Sequence, residues 1–255
     1  MTLLRIENVS KLFGGVRALD TVSFEVEAGA ICSVIGPNGA GKSTLFNVIT
    51  GIFRPSGGSV FLEGRSIIGE PSYRLASRGM SRTFQNLQIF LNMTAVENVQ
   101  VGRHQHMDGR FLPALLSLPS IRRNDAVSYK EAVALMMRVG LEDYVGAASD
   151  AMPYGALKRL EIARALASRP KLLLMDEPAA GLNETESVAM LELIKEIAKS
   201  GVTVVLIEHD MRLVMGVSEH IVVLNHGKKL AEGTAAQIQS NPAVIAAYLG
   251  EQEAA

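Results

Sequence analysis

Apolar residues in the first part of the chain recur at every second position or in short runs. In TVSFEVEAG, residues 21–29, valine and phenylalanine alternate with serine and glutamate, which is the period of a half-buried antiparallel strand. The segments AICSVIG, KLLLMDE and GVTVVLIEH are short, almost uninterrupted apolar runs. Such runs are typical of parallel strands that are buried on both faces.

A helical pattern separates the last two of these runs. From Glu184 to Lys199, the apolar residues Val188, Leu191, Ile194 and Ile197 recur on one face of a helix. A strand, a helix and a further strand in this order predict a parallel sheet with helices packed on it.

The end of the chain returns to antiparallel strands and closes with helices. The segment IVVLNHGKKLAEG predicts a hairpin that turns at Asn225–Gly227. Two short helices should follow, and the second begins at Pro242, since proline suits the first position of a helix.

The middle of the chain, about residues 86–151, has few strand signals. RRNDAVSYKEAVALMMRVGLEDYV has the 3.6-residue period of helices, and HMDGRFLPALLSLPS predicts a loop-rich insertion. We therefore expect one α/β domain over residues 1–255. Its core, in residues 1–85 and 160–255, includes an antiparallel β lobe, and an α-helical subdomain is inserted at about residues 86–159.

The composition is that of a globular protein with enough apolar residues for a substantial core. Hydrophobic residues make up 48% and charged residues 20% of the chain. The net charge of −1 provides no basic field that would hold nucleic acid. Cys32 is the single cysteine, so no intrachain disulfide can form and a reducing compartment fits best. The sequence shows neither a signal peptide nor an apolar run near the ~20 residues of a membrane-spanning helix, so we expect a soluble protein.

The segment GPNGAGKST matches the phosphate-binding P-loop pattern at every fixed position. Its glycines let backbone amides approach phosphate oxygens, and the helix that starts near Lys42 points its positive end at the same place. Lys42 can reach the β- and γ-phosphates of a nucleotide, and the Ser43 hydroxyl can ligate Mg²⁺. The predicted nucleotide-binding residues are Gly36, Pro37, Asn38, Gly39, Ala40, Gly41, Lys42, Ser43 and Thr44. A merely flexible glycine loop is the alternative, which a full match after an apolar strand disfavours.

The segment LLLMDEP places two carboxylates at the end of a predicted buried strand. The Asp176 carboxylate is costly there without a metal or hydrogen-bond partner, and an Mg²⁺ held by Ser43 and the nucleotide is the natural partner. Glu177 can reach water at the strand end and is the candidate general base. Alone, an Asp-Glu pair is more often a solvated turn, so this interpretation depends on the P-loop.

Three single residues complete the candidate site. His209 follows the apolar run VTVVLIE and can hydrogen-bond a γ-phosphate at the strand end. Gln85 lies where the α/β core gives way to the helical insertion. Phe13 precedes two glycines and can stack on adenine, although a single phenylalanine is more often a core residue.

In this order, the motifs resemble the nucleotide-binding subunits of ATP-binding cassette (ABC) transporters over nearly the whole chain. The resemblance rests on Phe13, GPNGAGKST, Gln85, YGALKRLEIARAL, LLLMDEP, AGLN and His209. It implies that Phe13 stacks on adenine, that GPNGAGKST is the Walker A loop, and that Gln85 senses Mg²⁺ and the transmembrane subunit. Asp176 and Glu177 correspond to the Walker B aspartate and the catalytic base, and His209 corresponds to the switch histidine. The implied D-loop consists of Ala180, Gly181, Leu182 and Asn183, and the implied metal ligands are Ser43, Gln85 and Asp176.

The segment MPYGALKRLEIARALA aligns with the signature motif of this family, most often Leu-Ser-Gly-Gly-Gln. The aligned residues are Met152, Pro153, Tyr154, Gly155 and Ala156. In the family, two cassettes pair head to tail, and each signature helix points its positive end at the γ-phosphate bound by the other. Pro153 offers neither a hydroxyl nor a backbone N–H, and Ala156 has no side-chain amide, so two polar contacts are in doubt. Lys158 and Arg159 add positive charge nearby.

A second resemblance is to the ATPase subunits of bacterial branched-chain amino acid importers. It is carried by VSKLFGGVRALD, NVITGIFRPSGG, SRTFQN, IEHDMRLVMG and NPAVIAAYLG, and by an insertion at Val101 to Arg123. It implies ATP and Mg²⁺ as cofactors, a second cassette subunit, two transmembrane permease subunits and, indirectly, an external solute-binding protein. The chain would lie peripherally on the cytoplasmic face of the inner membrane, and no nucleic acid partner is expected.

Three alternatives stay open. The transporter could be a related urea or amide importer, because the permease and the binding protein choose the solute. A soluble ABC ATPase that acts on nucleic acid or ribosomes is disfavoured by the net charge of −1 and the single cassette. A degenerate regulatory subunit is suggested by Pro153 and Ala156, although the P-loop, Glu177 and His209 are intact.

Overall fold

The computed structural model describes secondary structure for residues 1–104 and 119–252. Most of the predicted loop-rich insertion, HMDGRFLPALLSLPS, lies outside the described residues. The chain divides into two compact units, Met1–Arg82 with Lys171–Ala255, and Thr83–Pro170.

The first unit contains the strands of the described residues, in two sheets. The strands are β1 (Thr2–Phe13), β2 (Val16–Glu27), β3 (Ile31–Ile35), β4 (Gly57–Leu62), β5 (Arg65–Ser66), β6 (Met80–Arg82), β7 (Leu172–Asp176), β8 (Thr203–Ile207), β9 (His220–Asn225) and β10 (Lys228–Gly233). One sheet is antiparallel with the order β2-β1-β4-β5, and the other has the order β10-β9-β3-β8-β7-β6. In the second sheet the neighbours from β9 to β6 are parallel, and β10 pairs antiparallel with β9.

The helices of the described residues are numbered along the chain. They are α1 (Lys42–Ile49), α2 (Ser72–Ser77), α3 (Ala95–Gly102), α4 (Pro119–Arg138), α5 (Tyr154–Ala167), α6 (Glu184–Lys199), α7 (Met211–Val217), α8 (Ala235–Gln239) and α9 (Pro242–Gln252). Among residues 1–104 and 119–252, no helix combines the length and the apolar character needed to cross a membrane.

The parallel sheet aligns the ends of three buried strands. Every residue of β3, β7 and β8 is buried, as the apolar runs predict. Ile207 of β8 pairs with Val34 of β3 on one side and with Asp176 of β7 on the other. The segments that follow these strands therefore begin at the same edge of the sheet.

The antiparallel sheet has the predicted alternation. Along β2, Val22, Phe24 and Val26 are buried while the residues between them are exposed or half-buried. These side chains join Leu45 and Phe46 of α1 in one core cluster, to which the parallel sheet also contributes. The first helix after β3 is thus held between residues of both sheets.

The hairpin at the end of the parallel sheet also matches the prediction. Asn225 pairs with Lys228, and the turn residues His226 and Gly227 have positive φ angles. Pro242 is the first residue of α9, as expected.

Helix α6 has the predicted bounds, and its buried face overlaps only in part with the predicted apolar face. Its buried residues are Met190, Leu193, Ile194, Ile197 and Ala198. Ile194 and Ile197 lie on the predicted face, whereas Val188 on the same face is 57% exposed. The helix carries two adjacent apolar stripes, and the periodicity alone does not tell which of them meets the sheet.

The second unit is helical and is built from α3, α4 and α5. A boundary at residues 159/160, as predicted, would divide α5, whereas the structure keeps this helix whole within Thr83–Pro170. Helix α3 approaches α5 closely at Gly102. A Cβ atom on Gly102 would lie 2.1 Å from the carbonyl oxygen of Arg164 and 3.0 Å from Cβ of Ala167. Only glycine permits this contact between the two helices.

We predict that Gly102→Ala lowers the free energy of unfolding by about 1–3 kcal/mol, because the added methyl group overlaps backbone that cannot move away cheaply. Gly146→Ala is the matched control, since a Cβ atom there meets no atom within 4 Å and its φ is not positive. Urea unfolding of both variants measures the difference. Equal stabilities of the two variants would contradict the close approach.

Candidate nucleotide-binding site

The P-loop follows β3 and leads into α1, as the sequence predicts. Gly36 has a φ of +148°, and a Cβ atom on it would lie 2.1 Å from the carbonyl oxygen of Leu224. Gly39 also has a positive φ, but a Cβ atom there would meet open space. Position 36 therefore requires glycine because β9 is close. Position 39 favours glycine because of the positive φ of the turn, which faces open space.

The two side chains predicted to meet phosphate and metal lie at the start of α1. Lys42 Nζ donates hydrogen bonds to the carbonyl oxygens of Gly36, at 2.6 Å, and Pro37, at 2.9 Å. These bonds hold the lysine side chain against the loop whose amides are predicted to bind phosphate. Ser43 is exposed, so its hydroxyl is accessible to a ligand.

Asp176 ends β7 and is 5% exposed. The sequence suggested that its carboxylate requires a metal or a hydrogen-bond donor, and the structure provides the donor. Arg82 Nη2 donates to Asp176 Oδ2 at 2.7 Å. Arg82 is a residue that the sequence analysis missed.

Glu177 follows directly and adopts an unusual backbone conformation. Its φ is +50°, in the left-handed region that costs a non-glycine residue roughly 1–2 kcal/mol. Its amide donates to the carbonyl oxygen of Ile207 at 3.0 Å, which anchors the turn to β8. The turn brings Glu177 Oε1 to 3.9 Å from Nδ1 of His209, whose side chain is 66% exposed. The candidate base and the candidate switch histidine are thus neighbours.

Glu208 is a second residue that the sequence analysis missed. It is 1% exposed, and its carboxylate accepts the N–H groups of Ala179, at 2.8 Å, and His209, at 3.0 Å. Burial raises the pKa of Glu208, and these backbone donors oppose the rise. Glu208 therefore ties the segment after β7 to the segment after β8. A carboxylate at the end of an apolar run was the same signal that identified Asp176.

Phe13 lies at the end of β1 and is 42% exposed, so it is not the core residue that the alternative interpretation expected. Its ring meets that of Phe53 edge to face, with the centroids 5.2 Å apart. Lys11 Nζ lies 4.9 Å from the Phe13 centroid and donates to the carbonyl oxygen of Arg54 at 2.8 Å. The ring is held by these contacts while part of its surface faces solvent.

The predicted D-loop has a structural task as well. Asn183 caps α6, since its side chain accepts the N–H of Glu186 at 2.9 Å and its own N–H donates to the Glu186 carboxylate at 3.0 Å. Ala180 and Leu182 are half-buried, and Gly181 is exposed.

Gln85 belongs to the second unit, where its segment is tied to α5. Lys158 Nζ donates to the carbonyl oxygen of Gln85 at 3.5 Å, and the Glu161 carboxylate accepts the N–H of Phe84 at 3.3 Å. Arg164 donates to the carbonyl oxygen of Gln88. Burial raises the pKa of Glu161, and backbone donors with Arg164 oppose the rise.

The signature segment begins α5. Pro153 is the N-cap and provides no side-chain hydrogen bond, and Gly155 and Ala156 are buried while Tyr154 is 46% exposed. Lys158 is also buried and faces the Gln85 segment, so it does not add charge to the exposed edge of the helix as the sequence suggested. Ala156 is 1% exposed, so its side chain is not part of the surface that a partner would meet.

We predict that the stability of Glu208→Gln relative to the wild type depends on pH. The pKa of Glu208 is raised in the folded state, so its contribution to stability is complete below the ordinary value of 4.5 and is lost as the pH rises through the folded pKa. Glutamine keeps one acceptor oxygen where Glu208 has two, so the variant loses one of the hydrogen bonds from Ala179 and His209 and should be less stable at and below about pH 4.5. The difference in free energy of unfolding between the wild type and the variant should become smaller toward pH 8.

Urea unfolding at several pH values measures this trend. The control is Glu219→Gln, which changes an exposed glutamate. A gap that stays constant or widens with pH would contradict the burial argument.

Comparisons with known proteins identify the family of the chain. A family model described as ABC transporter matches residues 19–180, and one described as branched-chain amino acid ATP-binding cassette transporter matches residues 228–254. The chain is 45% identical over 250 residues to the high-affinity branched-chain amino acid transport ATP-binding protein BraF of Pseudomonas aeruginosa, which covers 98% of both chains.

Solved structures are similar over the same length. The ADP conformation of MJ1267, an ATP-binding cassette of an ABC transporter, has a TM-score of 0.85 at 32% identity and covers 98% of this chain and 99% of that one. The dimeric post-hydrolysis state of the cassette MJ0796, bound to ADP and phosphate, has a TM-score of 0.77 at 25% identity, covering 91% and 99%. The predicted fold class and family are confirmed: the chain belongs to the ATP-binding proteins of ABC transporters.

Proposed function

We propose that this chain is the ATP-hydrolysing subunit of an importer for branched-chain amino acids. The observation that carries the proposal is the common edge at which the P-loop, Asp176 with Glu177, and His209 follow three neighbouring parallel strands. The match of residues 228–254 to the branched-chain amino acid transporter family and the similarity to BraF support the choice of solute class.

The residues fit a nucleotide with Mg²⁺. The open cradle at Gly39, the amides of the loop and Lys42 suit the phosphates, and the exposed Ser43 hydroxyl and the Asp176 carboxylate are hard oxygen donors. In this proposal, Ser43 and Asp176 would hold Mg²⁺, which would neutralise phosphate charge when bound. The remaining loop residues bind the phosphates through their backbone.

Hydrolysis requires a base and a group that orients the γ-phosphate. Glu177 accepts a proton from the attacking water, and its strained turn fixes the carboxylate at the strand end. His209, 3.9 Å from Glu177, donates a hydrogen bond to the γ-phosphate. Glu208 holds the backbone of both segments, so the two side chains keep their mutual position.

A second cassette completes the site in this proposal. The first-turn amides of α5 and the positive end of its dipole face the partner's γ-phosphate, with Met152–Ala156 as the contact. The Gln85 segment meets one of two permease subunits on the cytoplasmic face of the membrane. An external binding protein delivers the solute to that permease.

We expect Glu177→Gln to retain ATP binding and cassette dimerisation but to hydrolyse ATP at least ~10²-fold more slowly, the scale of a lost general base. Phosphate release, nucleotide titration and size-exclusion chromatography with ATP measure the three properties. Glu192→Gln, on the exposed side of α6, is the matched control. Near-normal hydrolysis by Glu177→Gln would contradict the role of Glu177 as the general base.

Phe13→Ala should weaken ATP binding by roughly tenfold or more, because stacking of one base on an aromatic ring contributes about 1–3 kcal/mol. Tripolyphosphate has no base, so its affinity should not change. ATP and GTP should lose similar amounts, since a ring face reads no base edge. Calorimetric titration measures all three ligands.

Phe61→Ala is the control for this experiment, because Phe61 lies on β4 under a comparable cation, Arg5, whose guanidinium is 4.5 Å from the ring centroid. Equal losses of ATP and tripolyphosphate affinity would assign Phe13 to loop folding and not to the base.

A further inference from the structure

We propose that Arg82 is a positioning residue for Asp176: a built-in counter-ion that holds Oδ2 and leaves Oδ1 for the cation that arrives with the nucleotide. This inference rests on the proposed role of Asp176 as a metal ligand. Arg82 belongs to the segment SRTFQN, but none of the roles assigned to the site residues falls on it.

Arg82 is held on several sides. It ends β6, which pairs with β7 so that Arg82 lies opposite Leu174. Its side chain is 9% exposed, and that of Asp176 is 7% exposed. Besides the 2.7 Å bond to Asp176, Arg82 Nη1 donates to Asn47 Oδ1 at 2.7 Å.

Two further contacts join Arg82 to helix α1. Arg82 Nη1 lies 3.4 Å from Thr50 Oγ1, and the guanidinium is 5.6 Å from the ring centroid of Phe46. Asn47, Thr50 and Phe46 all belong to α1 or its C-cap, and α1 begins with the P-loop lysine. The arginine therefore connects the phosphate-binding helix to the end of β7, with little freedom for its planar head group.

The charge of Arg82 changes what Asp176 needs. A buried carboxylate without a partner destabilises a fold strongly, and Arg82 removes that penalty before any cation is present. A guanidinium on one oxygen also repels a cation on the other. Asp176 should therefore bind free Mg²⁺ poorly and bind it well only when nucleotide phosphates contribute further oxygens. The described residues contain no group of three acidic, histidine or cysteine side chains that would hold a metal without the nucleotide.

The test is whether Mg²⁺ replaces Arg82. In EDTA, Arg82→Met should lower the Tm by about 10 °C, since it strands a buried charge. Without nucleotide, Mg²⁺ should recover a large part of this loss, and Mn²⁺ binding followed by electron paramagnetic resonance should become detectable. The wild type should show neither effect. Arg82→Lys keeps the charge and should remain independent of Mg²⁺.

A double variant keeps the test valid if Arg82→Met folds poorly. Arg82→Met with Asp176→Asn has no stranded charge and should be more stable in EDTA than Arg82→Met alone. Asn47→Ala is the matched control, because Asn47 contacts Arg82 but bears no charge, and its Tm should not respond to Mg²⁺. An Arg82→Met loss that neither Mg²⁺ nor Asp176→Asn relieves would overturn the inference and leave Arg82 as a packing residue.

One further variant separates this inference from the proposed function. Asp176→Asn alone should markedly reduce the gain in ATP affinity that Mg²⁺ provides over EDTA, since it removes one of the proposed oxygen donors. If that gain is unchanged, Asp176 is not a metal ligand and the proposed role fails with the inference. If the gain is reduced but Arg82→Met shows no Mg²⁺ response, only the role of Arg82 is wrong.

Discussion

The common ending of three hydrogen-bonded parallel strands is the constraint on which the site depends. Ile207 pairs with Val34 and with Asp176, so β3, β8 and β7 end side by side. The segments after these strands carry the P-loop, the two carboxylates and the histidine. The backbone ladder aligns the starts of these segments, and the contacts of Glu177 with Ile207 and of Glu208 with Ala179 then hold two of them together.

The same arrangement brings carboxylates to the ends of buried strands. The cost of burying each carboxylate is offset by a different kind of hydrogen-bond donor. Asp176 receives an arginine from the neighbouring β6, whereas Glu208 receives backbone N–H groups. Burial raises the pKa of Glu208, and the backbone donors oppose only part of this rise. A carboxylate at a strand end thus lies at the candidate site. The kind of hydrogen-bond donor it receives decides whether its charge is balanced by an arginine or only by backbone dipoles.

Local signals predicted the parts of this structure that local interactions form. Helix α6 has its predicted bounds because Asn183 and Glu186 cap it reciprocally, and the buried strands follow from uninterrupted apolar runs. The missed residues have distant partners: Arg82 and Asp176 are 94 positions apart, and Glu208 and Ala179 are 29 apart. The wrong assignment of Val188 has a related cause, since a helix with two apolar stripes is oriented by its neighbours and not by its own period.

The three side chains that reach from α5 to the segment of Gln85 have a mechanical consequence. Lys158, Glu161 and Arg164 lie on successive turns of α5. Each of them hydrogen-bonds a different backbone group of residues 84–88. Phe84 and Phe90 on that loop are 37% and 44% exposed. A protein that bound these two rings and displaced them would move α5 as well, because the loop and the helix are joined at three points and move together.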